Sequence, residues 1–161
     1  MGDFSIRHVE PSDYQPIISV LNDWWNGRMV SDMLPKLFFV HFRETSFVAE
    51  SGGNIVGFLI GFLSQTFPDQ AYIHFTGVHP NYRRKGVARN LYGHFFKAAQ
   101  KHGCRVVHCV TSPVNKVSIA FHLQMGFSIE PGERVMEGVS FAENYDGYGG
   151  DRVLFSKILG A

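Results

Sequence analysis

The run Val78-His79-Pro80-Asn81-Tyr82-Arg83-Arg84-Lys85-Gly86-Val87-Ala88-Arg89 joins a strand-like segment, Ala71 to Val78, to a long amphipathic helix. The loop carries three consecutive basic residues, then a glycine, then a small residue in the first helical turn. Strand, Gly-containing loop and helix N-terminus together form an anion site. The free N–H groups of the first turn point outward, and the helix dipole favours negative charge. A side chain at Gly86 or a bulky one at Ala88 would hold a phosphate away from the backbone. The spacing Arg83-x-x-Gly86-x-Ala88 fits neither of the common nucleotide loops, G-x-x-x-x-G-K-[ST] and G-x-G-x-x-G.

Working outward, the helix after Gly86 places Val87, Ala88, Leu91, Tyr92, Phe95, Phe96 and Ala99 on one apolar stripe, and His102-Gly103 closes it. Arg105 to Thr111 is almost continuously apolar, as in a central strand buried on both faces. Ser112-Pro113 ends it, a short helix is expected over about Val114 to Met125, and Phe127 opens another strand. Before the loop, Thr45 to Glu50 and Ile55 to Leu63 read as a hairpin about Ser51-Gly52-Gly53-Asn54. Ser5 to His8 reads as a first strand, and Pro11-Ser12-Asp13 starts a helix over Tyr14 to Asn22. A second helix is expected over about Met33 to Phe42, and Arg152 to Leu159 alternates as a last strand. This element order predicts a single α/β (α+β) domain over residues 1–161, with a mixed, mostly antiparallel sheet of six to seven strands and about four helices.

Asn115-x-x-Ser118-x-x-Phe121-His122-x-x-x-Gly126-Phe127 is the second informative run. Asn115, Ser118 and His122 share one helix face, while Ala120 and Phe121 are expected to turn toward the core. Read from the residues alone, Asn115 is equally an N-cap on a solvated helix.

Taken together, the two runs resemble the GNAT superfamily of acetyl-CoA-dependent N-acetyltransferases. The first looks like its pyrophosphate motif R/Q-x-x-G-x-G/A, and the second like N-x-x-A/S-x-x-F/L-Y-x-x-x-G-F. The resemblance covers about Thr45 to Phe127; the flanking segments match only in element order. It implies a sheet splayed between its central strands and acetyl-CoA as co-substrate. It also implies direct attack by a primary amine of a small molecule or protein in a ternary complex. Cofactor contacts would come from Gly77, Val78, Arg83, Arg84, Lys85, Gly86, Val87, Ala88, Arg89, Asn115 and Ser118, with the Val78 N–H near the thioester oxygen. The family's tyrosine acid is replaced by His122, as in subfamilies similar to phosphinothricin acetyltransferase. His122 is therefore the expected proton donor or hydrogen-bond donor to the leaving thiolate.

The strand before the loop has no Asp or Glu, so His74, with Tyr72 on the same face, is the candidate base; a water chain is the alternative. Trp24, Trp25 and Arg28 between the first two helices, and Tyr145, Asp146 and Tyr148 in the loop before the last strand, are expected around the acceptor. Aromatic walls with a carboxylate suit an amine.

A formal net charge of +1 is no footprint for nucleic acid or a membrane surface. The N-terminal residues Met1-Gly2-Asp3-Phe4 do not look like a signal peptide, and no apolar run reaches the ~18 residues of a membrane helix. Cys104 and Cys109 would lie about 16 Å apart on a strand, too far to bridge, so free thiols and a cytoplasmic location are expected. The eight His are scattered, and no metal is expected. A homodimer is left open. The competing readings are a catalytically silent acetyl-CoA sensor and an anion- or nucleic-acid-binding domain built on Arg83, Arg84 and Lys85.

Overall fold

A computed structural model describes residues 3–160. In chain order the elements are β1 (Ser5–His8), α1 (Tyr14–Trp24), α2 (Leu37–His41), β2 (Phe47–Ser51), β3 (Asn54–Leu63) and β4 (Gln70–Val78). There follow α3 (Val87–Lys101), β5 (Val106–Thr111), α4 (Lys116–Gln124), β6 (Ser128–Ile129), β7 (Arg134–Met136), β8 (Val139–Phe141) and β9 (Val153–Ile158). Seven strands form one sheet in the order β1-β2-β3-β4-β5-β9-β6, and β7-β8 is a separate hairpin. β4 and β5 run parallel, and the other neighbours run antiparallel. The mixed, mostly antiparallel sheet expected from the sequence is the sheet observed.

Each face of the sheet carries a core. On the α3 side Leu59, Ile73, Leu91, Phe95, Val107 and Phe155 pack together. On the α1 side the packed group is Ile17, Leu21, Phe39, Phe58, Ile60 and Phe75. Burying side chains of this size contributes about 1.5–3 kcal/mol each before entropy is counted. α3 lies directly on β3 because β3 has glycines beneath it. A Cβ on Gly57 would come within 2.7 Å of Val87 Cγ1, and one on Gly61 would collide with the Phe95 ring.

Asp13, 5% exposed, ties the N-terminal strand to this frame. Arg7 grips its carboxylate through Nη1 and Nη2, each at 2.9 Å, and reaches Glu50 on β2 through Nε at 3.0 Å. Burial alone would raise the Asp13 pKa, but the hydrogen bonds from Arg7 and from the Glu10 N–H, with the Arg7 charge, leave it below the usual carboxylate range.

Three details differ from the sequence expectation. α2 begins at Leu37 rather than Met33. Leu34 precedes Pro35 and stands at φ −132°, ψ 69°, outside the helical region that a following proline disfavours. The β7-β8 hairpin was not anticipated. Its turn, Glu137-Gly138, has both residues at positive φ, 50° and 80°, and glutamate is no usual signal for that turn. In α4 the face assignment holds only in part: Phe121 packs against the core as expected, but His122 is buried with Ile119 while Ala120 is exposed. The polar imidazole goes inside because its hydrogen bonds are made there.

Candidate active site

β4 and β5 are paired only over Gln70–Tyr72 and Val106–His108. Beyond that point the strands part, while β4 stays paired to β3 as far as Val78. The His79 N–H donates to the Val56 carbonyl at 2.8 Å, which turns the backbone of Gly77 toward β3 as well. Strand alternation then turns the N–H and C=O groups of Thr76 and Val78 to the opposite side, from which β5 has departed. A side chain covers one of these groups: Arg83 Nε donates to the Val78 carbonyl at 3.3 Å. Buried backbone donors without partners are costly, so the parted edge is a place for a ligand's polar arm. Beside it, Thr76 Oγ1 is buried and makes no hydrogen bond of good geometry, although it lies near the Tyr92 phenol.

A bulge positions this edge. Ile60 faces Phe75 and Gly61 faces Ile73, so His74 is an extra residue in β4. Ile73 therefore belongs to the α3-side core and Phe75 to the α1-side core. Gly77 is glycine because of packing: a Cβ there would sit 2.5 Å from Phe58 Cε1 and 2.9 Å from Trp25 Cζ3. The reason is an aromatic lid on the α1 face.

The loop after Val78 ends at Gly86, which caps α3 at φ 82°, ψ 7°. That left-handed conformation calls for glycine. Arg84 is also left-handed at φ 62° and is exposed, as is Lys85, whose Nζ lies 5.3 Å from the Tyr82 ring centroid. Val87 is buried in the core, Ala88 is half-buried, and Arg89 is exposed. Arg83 is committed to the scaffold, since its Nη2 donates to the Trp24 carbonyl at 2.6 Å and pins the loop to the end of α1. The first turn of α3, with Gly86 and Ala88 bare of bulk, can accept a pyrophosphate, and Arg84, Lys85 and Arg89 supply positive charge around it.

At the other end of the parted segment lies a cavity of about 320 Å³, lined among others by Phe62, Phe67, Tyr72, His108, Glu130 and Tyr145. Tyr72 and His108 are register partners, the last pair before the strands separate. His108 Nδ1 lies 3.4 Å from Glu130 Oε2. His108 is not among the site residues expected from the sequence. Only its place opposite Tyr72, at the fork, brings it to the cavity. A β5 strand buried on both faces was expected, but Val107 and Cys109 are buried while His108 and Val110 line the groove. Cys109 also borders the cavity, but burial pushes its thiol pKa well up, so it stays protonated. Burial raises the Tyr72 phenol likewise.

His122 is 6% exposed and stacks on Phe155 with ring centroids 4.7 Å apart. Its Nδ1 lies 2.7 Å from the Ser118 carbonyl, which can only accept, so Nδ1 carries the proton. Nε2 then accepts from the Tyr92 hydroxyl at 2.8 Å. Both ring nitrogens are engaged. Desolvation lowers its pKa against the opposing Ser118 contact, which fixes the neutral ring. Asn115 is the N-cap of α4, its Oδ1 accepting from the Ser118 N–H at 3.1 Å.

The remaining predicted residues are spread around the fork. His74 is occupied: its Nε2 is 2.7 Å from the Met33 carbonyl and its ring stacks on Phe38 at 4.4 Å. Trp24 is buried at 6% exposure and packs on Phe58 and His79, which leaves it no face for a ligand. Trp25 is half-buried against Phe75, close to the parted edge, and Arg28 is exposed. Tyr145 lines the cavity. Asp146 is held by Arg152, whose Nε donates to Oδ2 at 2.8 Å, and Tyr148 is fully exposed. Among the described residues no group of three metal-ligating side chains occurs and no helix is long and apolar enough to cross a membrane.

The model of the Acetyltransferase (GNAT) family matches residues 9–127. An L-2,4-diaminobutyric acid acetyltransferase of Nocardia farcinica is 34% identical over 79 residues, which are 49% of this chain and 41% of that protein's length. Ard1 of Thermoplasma volcanium superposes with a TM-score of 0.77 at 20% identity, over 99% of this chain and 100% of that one. Diaminobutyrate acetyltransferase of Paenibacillus lautus, solved with its substrate and coenzyme A, superposes with a TM-score of 0.71 at 22% identity, over 97% and 95%. The two motifs, the parted central strands and the family match lead to one conclusion: the chain belongs to the GNAT family of acetyltransferases.

Proposed function

We propose that the protein transfers an acetyl group from acetyl-CoA to a primary amine by direct attack in a ternary complex. The observation that carries this reading is the parted edge of β4, with an anion loop at one end and a His108–Glu130 pair at the other. The unpaired segment spans residues 73–78, about 20 Å of extended chain. The residues present fit acetyl-CoA. The backbone around Arg84 to Ala88 would hold its pyrophosphate. The edge groups of Thr76 and Val78 would meet its amide-bearing arm, and the orphan Thr76 hydroxyl is the kind of group such an arm satisfies. Bound acetyl-CoA supplies an activated acetyl thioester.

The chain's own residues divide the remaining work. His108 takes one proton from the incoming ammonium, the second proton shed by the nitrogen as the amide forms goes to the departing thiolate or to solvent, and the Glu130 carboxylate orients the His108 ring. The Val78 N–H donates toward the oxygen on which negative charge develops. Tyr72, held protonated, closes the groove beside His108 and helps exclude water. Cys109, also held protonated, offers no nucleophile, which favours direct transfer over a covalent enzyme intermediate.

His122 keeps a role through Tyr92: as a neutral acceptor it orients the phenol next to Thr76. This differs from the donation to the leaving thiolate expected from the sequence, since Nδ1 is used on the Ser118 carbonyl and Nε2 accepts. The same observation favours the second reading, a silent acetyl-CoA-binding module, because the motif's usual acid is absent. Neither reading needs a nucleic acid, a membrane or a second protomer. A cytoplasmic setting suits the two free, buried cysteines.

The test is acetyl-CoA-dependent release of free thiol across a library of amines. Turnover with at least one amine is expected. Tight acetyl-CoA binding without turnover on any of them would leave the silent module.

A further inference from the structure

The cavity at the fork has a charge pattern that the reaction does not require. Its ionisable lining groups are His108, Glu130, Tyr72, Tyr145 and Cys109; no lysine or arginine is among the lining residues. Arg152, whose charge reaches Tyr72, is not among the lining residues and is paired with a carboxylate. Its Nε is on Asp146 at 2.8 Å and its Nη1 is on the Asp151 carbonyl at 2.8 Å. The walls are aromatic and aliphatic: Phe62 and Tyr72 stack at 5.4 Å, with Phe67, Tyr145, Val110 and Leu154 around them. Such a site attracts an ammonium through ring faces and Glu130. It offers a carboxylate no lysine or arginine, and places Glu130 where a second negative charge is repelled.

Resting on the acetyl-transfer reading above, we propose that the acceptor is a primary amine borne on an apolar or aromatic body, with no carboxylate beside the amine. The α-carboxylate of an amino acid would lose its water without gaining a lysine or arginine partner. The proposal therefore separates this chain from the relatives named for diaminobutyrate, whose substrate carries a carboxylate. The aromatic rim also sets a size: a cavity of about 320 Å³ takes a small amine, not a folded protein surface.

Matched pairs test it, each differing only by a carboxylate: 2-phenylethylamine against L-phenylalanine, and 1,3-diaminopropane against L-2,4-diaminobutyrate. The measurement is kcat/KM for thiol release at saturating acetyl-CoA. The carboxylate-free member should win by about 10²-fold or more in each pair. Phe67→Arg, at an exposed position on the rim, should move both ratios at least tenfold toward the carboxylate. Equal or better turnover of L-phenylalanine and L-2,4-diaminobutyrate overturns the proposal and leaves acetyl transfer standing. If no amine turns over, calorimetry of the same pairs on the CoA-saturated protein decides. Selective binding of the carboxylate-free amines supports the charge assignment while the transfer reading fails. Binding of neither member, or tighter binding of the amino acids, overturns it.

Discussion

His122 shows what one buried hydrogen-bonded ring contributes. Its carbonyl and phenol partners fix a single tautomer, and burial keeps it neutral. Replacing it by Phe leaves the Tyr92 hydroxyl without its acceptor in a dry site, at a cost of about 1–3 kcal/mol. The pH dependence follows from the sign of the shift. The folded pKa lies below the unfolded value, so below about pH 6.5 the unfolded chain binds a proton that the folded chain refuses. The stabilisation is full above that pH and is lost as pH falls toward the folded pKa. Thermal melts from pH 7.5 to 5 should show the wild-type Tm falling more steeply than that of His122→Phe. Parallel curves would mean that His122 is not held neutral. Asn115 allows a similar separation. Asn115→Asp keeps an N-cap acceptor, so Tm should change little, whereas Asn115→Ala should cost about 1 kcal/mol. If Asn115 also touches the cofactor arm, Asn115→Asp raises the acetyl-CoA Kd at unchanged Tm; an unchanged Kd restricts it to capping.

At the scale of elements, the start of α3 and the splay of β4 from β5 do most to make a site. Ala88→Glu places a carboxylate in the first turn, where it favours the helix dipole by about 0.3–1 kcal/mol. The same charge should repel a pyrophosphate. The variant is therefore expected to keep its Tm and lose acetyl-CoA affinity by at least about 10²-fold in calorimetry. Unchanged affinity in the folded variant would move the anion site elsewhere. These elements were the legible part of the sequence. Gly86 and Ala88 before an amphipathic stripe can be read from local chemistry alone. His108 could not be read so, because its role depends on a register with Tyr72 set by tertiary pairing. The burial of His122 on α4 escaped for a related reason. Polarity predicts exposure only when the hydrogen bonds are not made inside, and Tyr92 lies thirty residues from His122 in the chain. The Glu137-Gly138 turn escaped because glutamate seldom adopts a positive φ.

On the scale of the whole molecule, two cores clamp a sheet that is continuous on the β3 side of β4 and open on the other. The N-terminal strand is held to that sheet by Arg7 between Asp13 and Glu50. Arg7→Met leaves the Asp13 carboxylate buried without its guanidinium and should cost about 2 kcal/mol, with some of the effect discounted because Arg7 is partly solvent-screened. Acetyl-CoA affinity should not change, because this cluster lies on β1 and β2, away from the fork; denaturant melts and calorimetry on the one variant check both. A His108→Gln variant, compared with wild type for kcat and for acetyl-CoA Kd, separates the base at the fork from the anion site at the loop. A loss of kcat of about 10²-fold or more, with Kd within twofold, is expected. A wild-type kcat would contradict His108 as the base.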